Sequence, residues 1–276
     1  MGSAPSAAIA GRPGGAYPAR PMPAAATIAA IHRYPVKGLS HQALDRVGLK
    51  AGEMLPFDRT YALSLGATAF DPSRPEWLPK TNFLMLMRDE KLAALATGFD
   101  PATQTLIVSR AGRQVAKGRL DDPLGRAVIE QFFAAYMGEA ARGQPRVVSA
   151  PGHHFSDVNR KVLSVINLAS VKDLERVTGQ PVDPLRFRGN LLVDGLPAWQ
   201  EFQWIGREFR LGEVAVRAVK RIQRCAATAV NPATARRDIN VVQALVRGYG
   251  HPDMGIYVEV LQDGTLERGA VVTPPA

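Results

Sequence analysis

Cysteine is almost missing from this chain: among 276 residues there is one, Cys225. A single thiol rules out intramolecular disulfides. It rules out an ordinary iron–sulfur cluster, which takes four thiolates, and a Cys-rich zinc site. Redox chemistry here would therefore need a bound cofactor and electrons from another protein. Long hydrophobic runs are missing as well. The longest, around Val162–Val171, is broken by Ser164 and Asn167, so nothing approaches the roughly 20 apolar residues of a membrane span. No GxGxxG opens a helix, which leaves a Rossmann nucleotide site unsupported. No helix-turn-helix, zinc-finger spacing or aromatic RNA-binding signature occurs, so no nucleic-acid partner is expected. The first 26 residues contain no acid, and they lack an apolar core of signal-peptide length.

What is present is ordinary globular material, 46% apolar and 21% charged, enough for one large domain or two modest ones. Residues 1–26 are rich in Ala, Gly, Pro and Ser and read as a flexible tail. The net charge is +9; Arg12 and Arg20 of the tail account for two, leaving +7 on the remainder. That excess suits an anionic ligand or an acidic partner. With one free thiol, no secretion signal and no span, a cytoplasmic location is the expectation.

Short β-rich segments separated by Gly and Pro run from Thr27 onward. Thr105–Ser109 and Arg113–Gly118 form a hairpin pattern around Ala111-Gly112. Asp121-Asp122-Pro123 opens a helix ending at Gly138. Beyond Gly143–Gly152 come a strand at Val162–Ile166, a helix over Ala169–Thr178, and strands at Asn190–Val193, Glu208–Leu211, Val214–Val219, Ala226–Val230 and Ile256–Leu261, with helical spacing over Val241–Val246. The expected fold is α+β, mainly β: a β-barrel core with packed helices, preceded by a β-rich N-terminal domain. The expected divisions are 1–26, 27–145 and 146–276.

Four segments carry the chemistry. Tyr34-Pro35-Val36-Lys37-Gly38 ends a strand in a cation beside a glycine, which lets backbone approach a ligand. Phe57-Asp58-Arg59-Thr60-Tyr61 places an ion pair before a strand. Leu185-Arg186-Phe187-Arg188-Gly189-Asn190 carries arginines two apart; in extended backbone both face one way, with Phe187 turned to the core. Guanidinium forks match phosphate bidentately. Finally, Arg221-Ile222-Gln223-Arg224-Cys225-Ala226-Ala227-Thr228-Ala229-Val230-Asn231-Pro232 puts the only cysteine after an arginine, at the start of an expected strand. A neighbouring guanidinium favours thiolate, the form that ligates soft metals. A buried structural cysteine is the competing reading. His153 and His154 are tempting proton donors, though a surface-loop pair is the plainer expectation.

YPVKG, FDRTYAL, LRFRGN and RCAATAVNPAT, in that order and spacing, resemble the MOSC proteins with an N-terminal MOSC β-barrel domain, among them the mitochondrial amidoxime reducing components and their bacterial relatives. HHFSD, INLASVKDL and PAWQEFQWIG also fit, and LPKTNF fits loosely; the resemblance spans roughly Thr27 to Val272. It implies a molybdenum–molybdopterin cofactor with Cys225 as the metal's protein ligand and catalytic residue. Lys37, Arg59 and Arg188 would hold the pterin and its phosphate, with Asn190 and Arg224 beside such positions. Ser170, near a helix start, would add hydrogen bonds to an anionic group. Pyridoxal phosphate binding is a further family-level association.

The implied activity is reduction of small N-oxygenated compounds such as amidoximes and hydroxylamines. Electrons would come from a separate ferredoxin, flavoprotein or cytochrome. The alternative is a carrier of molybdenum cofactor or sulfur, without turnover.

Overall fold

The structure, a computed structural model, describes residues 25–276. The expected tail lies almost wholly outside the described residues. Along the first half run β1 (Thr27–Arg33), β2 (Gln42–Leu44), β3 (Arg46–Leu49), β4 (Ala62–Ser64), β5 (Leu95–Asp100), β6 (Thr105–Arg110) and β7 (Arg113–Arg119). Then come α1 (Pro123–Met137) and β8 (Arg146–Val148). The second half holds β9 (Leu163–Asn167), α2 (Leu168–Thr178), β10 (Leu191–Asp194), β11 (Glu208–Leu211), β12 (Val214–Gln223), α3 (Val241–Tyr249), β13 (Asp253–Val260), β14 (Gly264–Glu267) and β15 (Val272–Thr273).

The local chemistry explains the element boundaries. At the start of α1 the Asp122 carboxylate accepts the Gly125 N–H at 2.8 Å, Pro123 needs no partner for its nitrogen, and Gly138 at φ 57° ends the helix. Asn167 caps α2 through Ala169 N–H, and left-handed Gly179 closes it. Ala111 and Gly112 both have positive φ, the turn whose twist suits a two-residue hairpin between β6 and β7.

Eight strands form the main sheet in the order β15-β11-β12-β13-β9-β10-β1-β2. It is antiparallel except where β9 and β10 run parallel across α2. The sheet curls back on itself: Thr27 of β1 bridges Val271, and Val272 N–H donates to Ala26 O, so the β15 edge meets β1. Curling removes most of the exposed edge. Its interior holds an apolar core that includes Ile28, Leu163, Val165, Val193, Leu211, Val214, Ile256 and Val258, each at most 1% exposed. A second core lies under α1 and the β5-β6-β7 sheet, around Leu106, Val108, Ile129 and Phe133. A third packs α2 and α3 on the barrel through Leu174, Val241 and Leu245. The α+β, mainly β class with a barrel core and packed helices is thus the observed one.

Two expected strands are absent, and both sit in the site-bearing segments. Pro184–Phe187 is a 3₁₀ turn rather than extended chain, because Asp183 accepts the Leu185 N–H at 2.8 Å and Pro184 fixes φ. Arg188 follows in the left-handed region. The two arginines therefore diverge instead of sharing a strand face. Ala226–Ala229 is also a 3₁₀ turn, pinned by the Cys225 carbonyl, which accepts both the N–H and the hydroxyl of Thr228 at 3.1 and 2.9 Å. Cys225 consequently sits just past the end of β12, not at the start of a strand.

Candidate functional site

Where β1 ends, the chain turns through Tyr34–Gly38 and Val36 bridges Tyr61. Gly38 has φ 82°, and a Cβ there would lie 2.8 Å from the Leu84 carbonyl, so this position excludes any other residue without movement. The turn buries Lys37, whose Nζ donates to Phe155 O at 2.7 Å and to Asp157 at 2.5 Å. Burial lowers the Lys37 pKa despite the facing Asp157 carboxylate. Lys80 approaches the other oxygen of Asp157 at 3.3 Å. Burial opposes its charge too, but Asp157 and the neighbouring Cys225 sulfur outweigh it and raise its pKa.

Three half-buried arginines meet nearby. Arg59 and Arg188 lie over the Tyr34 ring, 4.9 and 4.3 Å from its centre. Arg59 pairs with buried Asp58 and donates to Arg188 O at 3.0 Å. Arg188 donates to Leu39 O at 2.8 Å, and Arg224 to Phe187 O at 2.8 Å and Met254 O at 2.9 Å. Among the described residues, neither Arg188 nor Arg224 has a carboxylate within ion-pair distance. Both are pushed down to about 10, burial being the main cause in each and Arg59 adding repulsion. Arg59 and Arg188 also share a left-handed backbone, φ 51° in each.

These side chains line one cleft of about 510 Å³. Lys37, Arg59, Arg188, Asn190, Arg224 and Cys225 all reach it, joined by Lys80, Asp157 and Tyr257. Cys225 is half-buried and lies on the cleft wall. Asn190 is present but committed elsewhere: its oxygen accepts the N–H and hydroxyl of Ser164 at 3.0 and 2.8 Å, and its amide donates to His32 O at 3.2 Å. It fastens β9, β10 and β1 together.

Ser170 is not on the cleft. It is fully buried, with its hydroxyl donating to Glu201 at 2.9 Å and accepting from Trp199 N–H at 2.8 Å, so the expected anion contact is corrected to a structural one. His153 and His154 are also off the cleft lining. Both are half-buried rather than fully exposed: His153 packs against Phe70 and Phe155, His154 stacks on His153, and burial holds His154 down at about 4, which leaves it neutral at pH 7. Among the described residues no three His, Cys, Asp or Glu side chains converge to hold a metal ion.

Residues 151–273, somewhat under half the chain, match the MOSC domain family. The chain carries a C-terminal MOSC domain. No curated protein matches it. Among solved structures it is similar to YiiM from Geobacillus stearothermophilus, at 21% identity and a TM-score of 0.33. That match covers 41% of this chain and 54% of YiiM, about half its length. It is also similar to the YUAD protein from Bacillus subtilis, at 12% identity and a TM-score of 0.42, over 90% of this chain and 93% of that one.

The MOSC segment supplies Asp157, Arg188, Arg224 and Cys225, while Lys37, Arg59 and Lys80 reach the cleft from outside it. Lys80 and Asp157 escaped the sequence reading as site residues. Their segments, LPKTNF and HHFSD, stood out only as stretches of likeness, and nothing local marks either residue as paired with Lys37.

Proposed function

We propose that the cleft binds a molybdenum–molybdopterin cofactor and that the protein reduces small N-oxygenated compounds with electrons from a separate redox protein. The observation that carries this reading is the one thiol of the chain on a cleft wall with two acid-free arginines, in a chain bearing a MOSC domain. The donor set fits the group. Among the described residues no three His, Cys, Asp or Glu side chains converge, whereas a metal arriving with its own sulfur ligands needs one thiolate. A phosphate-bearing pterin answers the unpaired charge of Arg188 and Arg224, with Arg59 and Lys80 beside them. When bound, the cofactor supplies the two-electron chemistry that removes the substrate oxygen as water.

The chain's own residues would do the rest. Cys225 would anchor the metal, Arg188 and Arg224 would hold the anionic end, and Lys37, locked by Phe155 O and Asp157, would keep the cleft floor in place. The carboxylate of Asp157, held well below the usual range by Lys37 and then Lys80 although burial opposes this, stays ionised at neutral pH. The N-terminal unit would comprise residues 27–145 and the MOSC unit 146–276, with β1 and β2 completing the barrel of the second. The overall positive charge would draw an acidic electron donor.

The test is metal and pterin content of protein made in a host that synthesises the cofactor, wild type beside Cys225→Ala, followed by reduction of benzamidoxime with an artificial donor. Near-stoichiometric molybdenum lost in the variant, with turnover in the wild type, is expected. Wild type free of metal and pterin would overturn the reading. Cofactor without turnover would leave the carrier alternative, for which the half-exposed Cys225 is suited.

A further inference from the structure

Arg237 lies outside the lining of the cleft, yet its guanidinium joins two stretches of backbone that belong to that lining. Local chemistry brings it there. The Asn231 side chain accepts the Ala233 and Thr234 N–H groups, Ala235 turns through left-handed backbone at φ 54°, and Arg237 returns to bridge Val230. The guanidinium is thereby set beside the turn that follows Cys225. Its Nη1 donates to Ala226 O at 3.1 Å. Its Nη2 donates to Met87 O at 3.0 Å and Leu86 O at 3.2 Å, and pairs with Glu90 at 3.2 Å. Neither the Leu86 nor the Met87 carbonyl accepts a backbone N–H among the described residues, so Arg237 supplies a donor that the backbone does not.

The two stretches come from different parts of the chain: Ala226 lies within the MOSC segment, Leu86 and Met87 well before it. Arg186 also grips the turn, donating to Ala229 O at 3.2 Å and pairing with Asp238 at 2.6 Å, but all three belong to the MOSC segment. Arg237 ties the turn to the other part. A guanidinium spans two groups of acceptors because its donors sit in a fixed planar fork, whereas an ammonium is a single point of charge. The place of the tie matters. Leu86 and Ala227 line the cleft and also a second cavity of about 620 Å³, walled by Leu39, Leu92, Leu95 and Leu185. They are part of the partition between the two spaces, and Arg237 fastens the peptide groups next to both. With the tie released, the partition would part and the cleft would open into the apolar cavity, close to the one thiol.

We propose that Arg237 is a positioning residue that keeps the Ala226 and Leu86–Met87 peptides together and so limits the size of molecule that reaches Cys225. It acts through those backbone groups and touches nothing inside the cleft. The inference rests on this chain's own atoms and does not depend on which cofactor the cleft holds. Under the function proposed above, the tie would confine substrates to small ones.

Cys225 is the only thiol among 276 residues, so maleimide labelling of the cofactor-free full chain reads this one position. N-ethylmaleimide and N-(1-pyrenyl)maleimide share a reacting group and differ in size. The ratio of their rates, each divided by its rate on urea-denatured chain, cancels any change in the thiol's own reactivity. In the wild type the pyrenyl reagent should be disfavoured about tenfold, because access governs the rate. Arg237→Gln should raise its relative rate about tenfold, the loss of one hydrogen bond from a charged donor. Arg237→Lys keeps the charge but cannot span both stretches; it should give a smaller rise, and it serves if the Gln variant does not fold. Glu90→Gln removes only a partly exposed ion pair and leaves the three carbonyl contacts, so its ratio should stay within about twofold of wild type. Rates taken from 0 to about 1 M urea separate access through the cleft, which is nearly flat, from access through global unfolding, which climbs with urea. No size discrimination in the wild type, an unchanged ratio in both Arg237 variants, an equal rise in Glu90→Gln, or a rise that follows the urea dependence of unfolding would each overturn the proposal.

Discussion

Asp58→Asn removes the carboxylate that pairs with Arg59 beside the cleft. Asp58 is 2% exposed; one oxygen accepts the Tyr34 N–H at 2.8 Å, and the other pairs with Arg59. Asparagine keeps the shape and can still accept from Tyr34, but it presents an amide NH₂ to the guanidinium, so two donors face each other. Removing one partner of a buried pair costs about 3–5 kcal/mol. The Arg59 side chain retains 16% exposure, which places the expected loss near the lower end, about 3 kcal/mol.

At roughly 2–4 °C per kcal/mol, the melting temperature of cofactor-free protein should drop by about 6–12 °C. Asp58→Ala also strands the Tyr34 N–H and should lose about 1–2 kcal/mol more. Sulfate should stabilise the Asn variant more than the wild type, since it neutralises the freed guanidinium by mass action. Urea unfolding of the three proteins, with and without sulfate, reads all of this. A loss below about 1 kcal/mol in Asp58→Asn, or equal losses in Asn and Ala, would refute the reasoning.

Tyr34→Phe discards a buried hydroxyl that has no partner among the described residues, so the unliganded protein should be unchanged or up to about 1 kcal/mol more stable; a clear loss in urea midpoint would show that the hydroxyl is satisfied. Gly38→Ala forces a Cβ against the Leu84 carbonyl at φ 82° and should lower stability by about 1–3 kcal/mol, measured by thermal melts. Burial, and then His41, hold His32 at about 4 in the folded chain against 6.5 unfolded. Between those values the unfolded chain takes a proton that the folded one refuses. The His32 contribution, up to about 3 kcal/mol, is therefore full above pH 6.5 and lost as pH falls towards 4. His32→Leu should flatten the urea midpoint between pH 6.5 and 4, and an unchanged slope would assign that acid sensitivity to other groups.

Elements with local punctuation were legible in the sequence. The α1 helix was bracketed by Asp122-Pro123 and Gly138, the α2 helix was read over Ala169–Thr178 with Gly179 after its end, and the β6–β7 hairpin was marked by Ala111-Gly112, because each signal acts within a few residues. The two 3₁₀ turns were not. Their apolar content imitates strands, and what bends them is a side-chain or carbonyl contact that no periodicity announces. The site divided in the same way. Lys37, Arg59, Arg188, Arg224 and Cys225 lie in unusual local strings and do line the cleft. Lys80 and Asp157 become legible only when Lys37 is seen between Phe155 and Asp157, a contact spanning 120 residues. Ser170 misled because a helix start suggests an anion site, whereas tertiary packing had already given its hydroxyl to Glu201.

The cleft concentrates costs that the remainder of the fold must offset. Arg59 and Arg188 hold left-handed backbone, at about 1–2 kcal/mol each for non-glycine residues. Arg188 and Arg224 are desolvated without acid partners, and repulsion from Arg59 adds to that. A surface evolved for stability alone would replace these groups with apolar or paired ones, since unpaired desolvated charge contributes nothing to folding. An anion entering the cleft gains its direct contacts and also relieves the repulsion among guanidiniums already fixed in position by Leu39, Phe187 and Met254 carbonyls. No ordering of long side chains is then required on binding. Under the proposed reading, the cleft would therefore capture a rigid polyanion tightly rather than by loose surface attraction, beside the single thiol.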